Sequence, residues 1–384
     1  MSSRPRPGRS GWRRIVAGLA LVAVLAGCST RGSVVVVPAA AATGTVETIF
    51  VGTTRSADPE TGTDFGIGRS AETRYARLDV AVPPDRKPGT IAWPQGRMRP
   101  DTRGVFLATA EKVYPDPAAF RADLSSVLLG ERRGTREAVV FVHGFNNTFA
   151  EGAYRLAQIG HDLDLRGAYV HYAWSSRGHP LGYAYDRDSA LFARDGLADL
   201  LRQTQAAGAE RILLIAHSMG AALTMETLRQ IAISGDRALL DWIAAVILIS
   251  PDIDVDVFRA QAAGIGTLPQ PFYIFTSKKD RVLALSARLT GQRDRLGTIA
   301  DIDEIADLKV TVLDTTAFSS GIGHFNAGTS SGLLTILGRL NEVDAAFATD
   351  RAGRAGVLPG VVLTVQNATQ IVLAPVTALS GLAR

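Results

Sequence analysis

The chain has 384 residues, 46% of them apolar, with a formal charge of +4, which is long enough for one large α/β domain with additions or for two small domains. The basic balance belongs to the N-terminus: residues 1–27 hold five arginines and no acid, and without them 36 basic side chains face 37 acidic ones, a net of −1. Nucleic acid is therefore not an expected partner, and a single cysteine, Cys28, excludes both an internal disulfide and a cysteine nucleophile in the folded part.

In chain order, a basic start, an apolar run from Ile15 to Ala26 and small residues before Cys28 predict a secretory signal over residues 1–27. The run is too short to span a bilayer as a permanent helix. Leu25-Ala26-Gly27-Cys28 resembles the bacterial lipobox, in which the chain is cleaved before a cysteine that is then acylated. Several acyl chains on one residue anchor stably, where one alone is marginal. The expectation is an exported protein, lipid-anchored to the bacterial cell membrane through Cys28. Ser29 resembles the sorting signal for an outer membrane where a cell has one, and Arg13-Arg14 is a hint of twin-arginine export.

Residues 28–46 read as a tether; Val34–Val37 has strand character, but the flanking Ala, Gly and Pro favour a linker. Early strands are expected at Thr48–Val51 and Arg77–Val82. Then strands at Ala138–Val142, Tyr169–Trp174, Arg211–Ala216, Ala244–Ile249, Phe272–Thr276 and Val310–Leu313 alternate with helical stretches, among them Ala150–Leu163 and a long helix over Asp186–Ala206. Such alternation predicts an α/β fold with a mostly parallel central sheet and helices on both faces, over residues 47–348. Residues 349–384 form a hydrophobic tail, uncharged from Ala355 to Ala383 and broken by prolines and glycines. It either docks back onto the domain, meets a membrane surface or offers a platform to an apolar substrate.

The strand Arg211–Ala216 runs into Ala216-His217-Ser218-Met219-Gly220 and then a helix-forming stretch. A serine on a sharp strand-to-helix turn, with small residues two before and two after it, is a nucleophile elbow. Alanine stands at the first small position here. A serine needs a base to take its proton and a third group to orient that base. Only one histidine follows Ser218: His324, in the glycine-rich Gly321-Ile322-Gly323-His324. Asp280, in the loop after Phe272–Thr276, is the expected acid, and Asp252, in Ser250-Pro251-Asp252, the alternative. The Met219 N–H comes with the elbow as one oxyanion donor. Phe145, after His143-Gly144 at the end of Ala138–Val142, is expected to supply the second. His143 reads as a structural hydrogen-bonder. No metal-ligand spacing and no cofactor signature is present.

Together, Ile49–Arg55 (IFVGTTR), Phe141–Asn147 (FVHGFNN), Trp174–Gly178 (WSSRG) with Tyr183 and Asp186, Ala216–Gly220, Ser250–Asp254, Ser277–Asp280 and His324 resemble the α/β-hydrolase superfamily. The resemblance is to a bacterial branch of esterase/lipase-like proteins of unassigned function, often exported. It implies a serine hydrolase of carboxylic esters working through an acyl-enzyme on a small-molecule or lipid ester. An acyltransferase on the same triad and a non-catalytic envelope-binding lipoprotein are the alternatives.

Overall fold

The computed structural model describes residues 32–60, 62–94, 101–291, 294–318, 324, 360–365 and 368–373. Three strands open the fold: β1 (Thr45–Arg55), β2 (Arg69–Val82) and β3 (Leu107–Val113), paired antiparallel in that order. Asp116 then caps α1 (Pro117–Leu128) by accepting the Ala119 N–H at 2.8 Å, with Pro117 in the first turn, where a missing N–H costs nothing.

From Glu137 onward strand and helix alternate: β4 (Glu137–Val142), α2 (Phe149–Asp162), β5 (Ala168–Ala173), α3 (Tyr183–Phe192), α4 (Arg194–Ala206), β6 (Arg211–His217), α5 (Met219–Ile233), α6 (Arg237–Asp241), β7 (Ile243–Ile249), α7 (Val255–Ile265), β8 (Phe272–Thr276), α8 (Arg281–Leu289) and β9 (Thr311–Asp314). A hairpin, β10 (Gly360–Val365) and β11 (Ala368–Leu373), completes the sheet. The strand order is β10-β11-β9-β8-β7-β6-β4-β5-β1-β2-β3, with every neighbouring pair from β11 to β1 parallel. This is the expected mostly parallel sheet.

The apolar runs lack alternation because both faces of the sheet are covered. Along β4, Ala138, Val140 and Val142 join one core with residues of α1, α4, α5 and α7, while Val139 and Phe141 join the other with Phe149, Ala153 and Leu156 of α2. The two-residue period of a strand thus feeds two separate cores.

Two segments differ from the sequence expectation, and a third, the tail, takes the first of the alternatives left open for it. The long helix of 186–206 is two helices, because the buried Tyr172 hydroxyl donates to Ala193 O at 2.6 Å and the chain turns there. The stretch read as a tether is docked from Gly32 onward: Val37 N–H donates to Ala108 O at 2.7 Å, Ala108 N–H to Val35 O at 3.1 Å, and Ala40 is fully buried. Its valines find an open strand edge, which a linker would not. In the tail, β11 pairs parallel with β9, so residues 360–373 extend the sheet. Cys28 and the signal over 1–27 lie outside the described residues, as do 349–359 and 374–384.

Candidate functional site

β6 ends at His217 and α5 begins at Met219, which leaves Ser218 to make the whole turn at φ 53° and ψ −122°. A non-glycine residue held there is strained, a conformation that persists only where the surroundings impose it. The packing is that tight. A Cβ at Gly220 would lie 2.2 Å from His143 O and 2.7 Å from Val142 O, both backbone atoms. Ala216, fully buried in the β6–β7 register opposite Leu248, shows that the earlier small position takes a methyl group.

Ser218 Oγ stands 3.0 Å from His324 Nε2, and His324 Nδ1 stands 2.8 Å from Asp280 Oδ2. The carboxylate only accepts, so Nδ1 carries the proton and the Nε2 lone pair faces the serine hydroxyl. Asp280 is 1% exposed, and its Oδ1 accepts the N–H groups of Val282 and Leu283 at 3.0 Å each. It is therefore the N-cap of α8 as well as the partner of the imidazole. His217 packs its ring 4.8 Å from that of His324. Burial, together with the neighbouring imidazole, pushes the His217 pKa well below the usual histidine range.

A second loop runs against the serine. A Cβ at Gly144 would lie 2.8 Å from Ser218 Cβ. Asn147 Nδ2 donates to Gly144 O at 3.1 Å and Phe145 O at 2.9 Å. Gly144 O and the Phe145 N–H share one trans peptide plane and point in opposite directions, so fixing the carbonyl fixes the N–H. The Met219 N–H heads α5, where no carbonyl of its own helix can accept it.

His143 is buried and turns both ring nitrogens to backbone; it stacks on Trp174 at 4.9 Å, and its ring nitrogens lie 2.9 Å from Gly144 O and 3.2 Å from Trp174 O. Burial lowers its pKa well below the usual range, so the neutral ring donates to one carbonyl at a time.

Behind the loop lies a pair of buried charges. Asp186 Oδ2 accepts the Ser176 hydroxyl at 2.6 Å and the Asn146 N–H at 3.2 Å, and Oδ1 accepts the Arg177 N–H at 2.8 Å. Burial raises its pKa despite these donors. Arg55, at the end of β1 and 2% exposed, donates to Gly66 O and Ser176 O at 3.0 Å and to Asn147 O at 2.9 Å. Burial lowers its pKa to about 10, which leaves it charged at neutral pH. In the sequence Arg55 stood out only as the last residue of IFVGTTR, with no role of its own. Its signal was an arginine closing an apolar strand.

Asp252 does not reach His324. It accepts Ser286 Oγ at 2.6 Å and the Tyr183 hydroxyl at 2.9 Å, and pairs with Arg295 Nε at 3.2 Å. The Tyr183 ring meets Phe145 edge-on at 5.4 Å, so this network borders the second loop. A polar depression of about 540 Å³, lined by Thr45, Val82, Arg86 and His161 among others, opens at the other end of the sheet, where β1 begins and α2 ends.

Solved structures resemble the chain at a distance. The ester-hydrolase EH1AB1 from the metagenome of Lake Arreo, complexed with a derivative of bipyridine phosphonate, is 14% identical with a TM-score of 0.37, over 90% of this chain and 94% of that one. A YdeN-like hydrolase from Pectobacterium atrosepticum is 17% identical with a TM-score of 0.29, over 58% and 98%. Lipase B from Aspergillus fumigatus is 12% identical with a TM-score of 0.27, and the chain spans only 38% of its length. No curated protein matches. The profile of a family described as alpha/beta hydrolase of unknown function (DUF900) matches residues 116–339, a stretch that runs from α1 through β9 and includes Ser218, Asp280 and His324. That match takes in more than half of the chain, and the chain belongs to this family of α/β-hydrolases.

Proposed function

We propose that the protein is a serine hydrolase of carboxylic esters, held at the bacterial cell envelope by a lipid on Cys28. The observation that carries the catalytic reading is the unbroken hydrogen-bonded line from Asp280 through His324 to a strained Ser218. As the Ser218 oxygen attacks an acyl carbonyl, its proton passes to His324 Nε2 and the imidazolium is held by Asp280. The tetrahedral oxyanion is met by the N–H groups of Met219 and Phe145, and one such donor contributes about 3–4 kcal/mol to the transition state. His324 then returns the proton to the leaving alcohol. Water, deprotonated by the same nitrogen, releases the acid from the acyl-serine.

The test uses the full chain extracted from membranes in mild detergent. Wild type should take up a fluorophosphonate probe and hydrolyse p-nitrophenyl esters, and Ser218→Ala should do neither. Labelling that persists in Ser218→Ala overturns the reading by placing the nucleophile elsewhere, and none in wild type overturns it and leaves an envelope-binding protein. An ester product that outweighs the free acid when a short alcohol is added at low concentration would make transfer rather than hydrolysis the main reaction. Mass analysis of the N-terminal peptide tests acylation of Cys28.

A further inference from the structure

The docked N-terminal segment tells where an anchor at Cys28 would emerge. Gly32 lies against the N-cap of α2: Thr148 Oγ1 donates to Gly32 O at 2.9 Å. A Cβ at Gly32 would meet Thr148 Oγ1 at 2.4 Å and Glu151 Cγ at 2.7 Å, and its φ of 61° suits glycine. Thr148 directly follows the loop Gly144–Asn147 that runs beside Ser218. Gly32 is the fourth residue after Cys28, and four residue steps span at most about 14 Å. An acyl group carried on Cys28 would therefore be tied close to the C-terminal end of the parallel strands, where Ser218 lies.

The surface around that end carries exposed leucines among basic side chains. A Cβ at Gly178 would lie 2.9 Å from Thr148 Cγ2, so the Arg177–Tyr183 loop starts beside the anchor. Leu181, in the middle of that loop, is 89% exposed, and Tyr183, at its end, bonds to Ser286 on α8. On α8, Leu285 and Leu289 are 56% and 63% exposed, one turn apart. Charge follows the same path. Over 177–192 and 277–289 six lysines and arginines are exposed against one exposed acid, Asp188, since Asp186 and Asp280 are buried. Leucines set among lysines and arginines next to an acyl anchor fit an anionic lipid surface.

We propose that the mouth of the Ser218 site faces an anionic phospholipid bilayer, with the Leu181 loop and the outer face of α8 resting on it, so that the ester is drawn from the membrane. The proposal rests on the reading of Ser218 and Cys28 given above. A bilayer is the occupant that the short leash to Cys28 and the charge pattern share.

The experiment places an environment-sensitive fluorophore on the acylated full chain. With Cys28 blocked by its lipid, Leu285→Cys offers one free thiol, and Leu129→Cys, equally exposed at 57% at the C-cap of α1, serves as the reference. Each is reconstituted into vesicles of phosphatidylcholine with phosphatidylglycerol. Position 285 should emit blue-shifted light, lose intensity to a spin-labelled lipid and be shielded from aqueous iodide; position 129 should behave as in water. Equal iodide access at both positions overturns the proposal. Shielding at 285 without quenching by the lipid assigns that face to protein and also overturns it, as does an unacylated Cys28. None of these readouts needs turnover, so a failure of Ser218 to react with the phosphonate is seen separately.

Discussion

His324 and Asp280 are joined through a single carboxylate oxygen. Nδ1–H donates to Oδ2 at 2.8 Å, while Oδ1 is taken by the Val282 and Leu283 N–H groups. The orientation of the imidazole is thus inherited from the end of a helix, and one residue serves two purposes that substitution can separate.

Asp280→Asn keeps an oxygen for the α8 cap but loses the charge that selects the histidine tautomer. It should lower kcat by about 10⁴-fold with a folded protein. Asp252→Asn should leave kcat within about tenfold while lowering the melting temperature, because it strips a buried partner from Arg295. Steady-state kinetics on a p-nitrophenyl ester, beside a thermal melt of each variant, decide it. If Asp252→Asn is the more damaging to kcat at equal folded fraction, the acid is misassigned.

Asp186 holds the Asn146 N–H, the Ser176 hydroxyl and the Arg177 N–H, and so ties the Gly144–Asn147 loop to the one after β5. Replacement by alanine should let the Gly144–Asn147 loop relax and move the Phe145 N–H off the oxyanion. A fall in kcat of up to about 10²-fold, with KM nearly constant, is expected. A change confined to KM would mean that the residue shapes substrate binding instead.

Gly220→Ala puts a methyl group 2.2 Å from the carbonyl of His143, which the elbow packing cannot move aside. The expected cost is about 1–3 kcal/mol or more, read as a lower urea midpoint, with loss of phosphonate labelling at Ser218. Wild-type stability in this variant would show the elbow to be looser than its geometry.

Three buried histidines make stability depend on pH. Burial holds His143 and His217 well below the ordinary value of 6.5 and His171 at about 3. The unfolded chain therefore takes up protons that the folded one refuses. Their contribution is complete above pH 6.5 and is lost as pH falls, by up to about 1.4 kcal/mol per pH unit for each histidine. Urea midpoints of Ser218→Ala between about pH 7.5 and 5.5 should drop accordingly, and His171→Phe should flatten the slope. A midpoint that rises on acidification refutes this.

The parallel strands were legible in the sequence because their apolar runs are continuous, and Ser218, Asp280 and His324 because each follows such a run in chain order. What escaped had mixed signals. Leu107–Val113 buries only its first half, so β3 shows no clean period. The Asp116-Pro117 start of α1 and its Phe120, Leu124 and Leu128 at helical spacing were present in the sequence but went unread. The break at Ala193 depends on Tyr172, a strand residue 21 positions away, which no local pattern contains. Arg55 is the same case: its partners at 66, 147 and 176 come from three other loops.

The family match ends where the edges of the sheet begin. β4–β9 fall inside residues 116–339, and the strands beyond them on either side fall outside it. On one side β3 is covered in part by Val35–Val37, and on the other β9 is covered by the hairpin of β10 and β11. An exposed strand edge is a template for pairing with another chain. A fragment trimmed to the matched stretch would therefore bare β5 and β9, which the intact chain pairs with β1 and β11, to every other copy of itself.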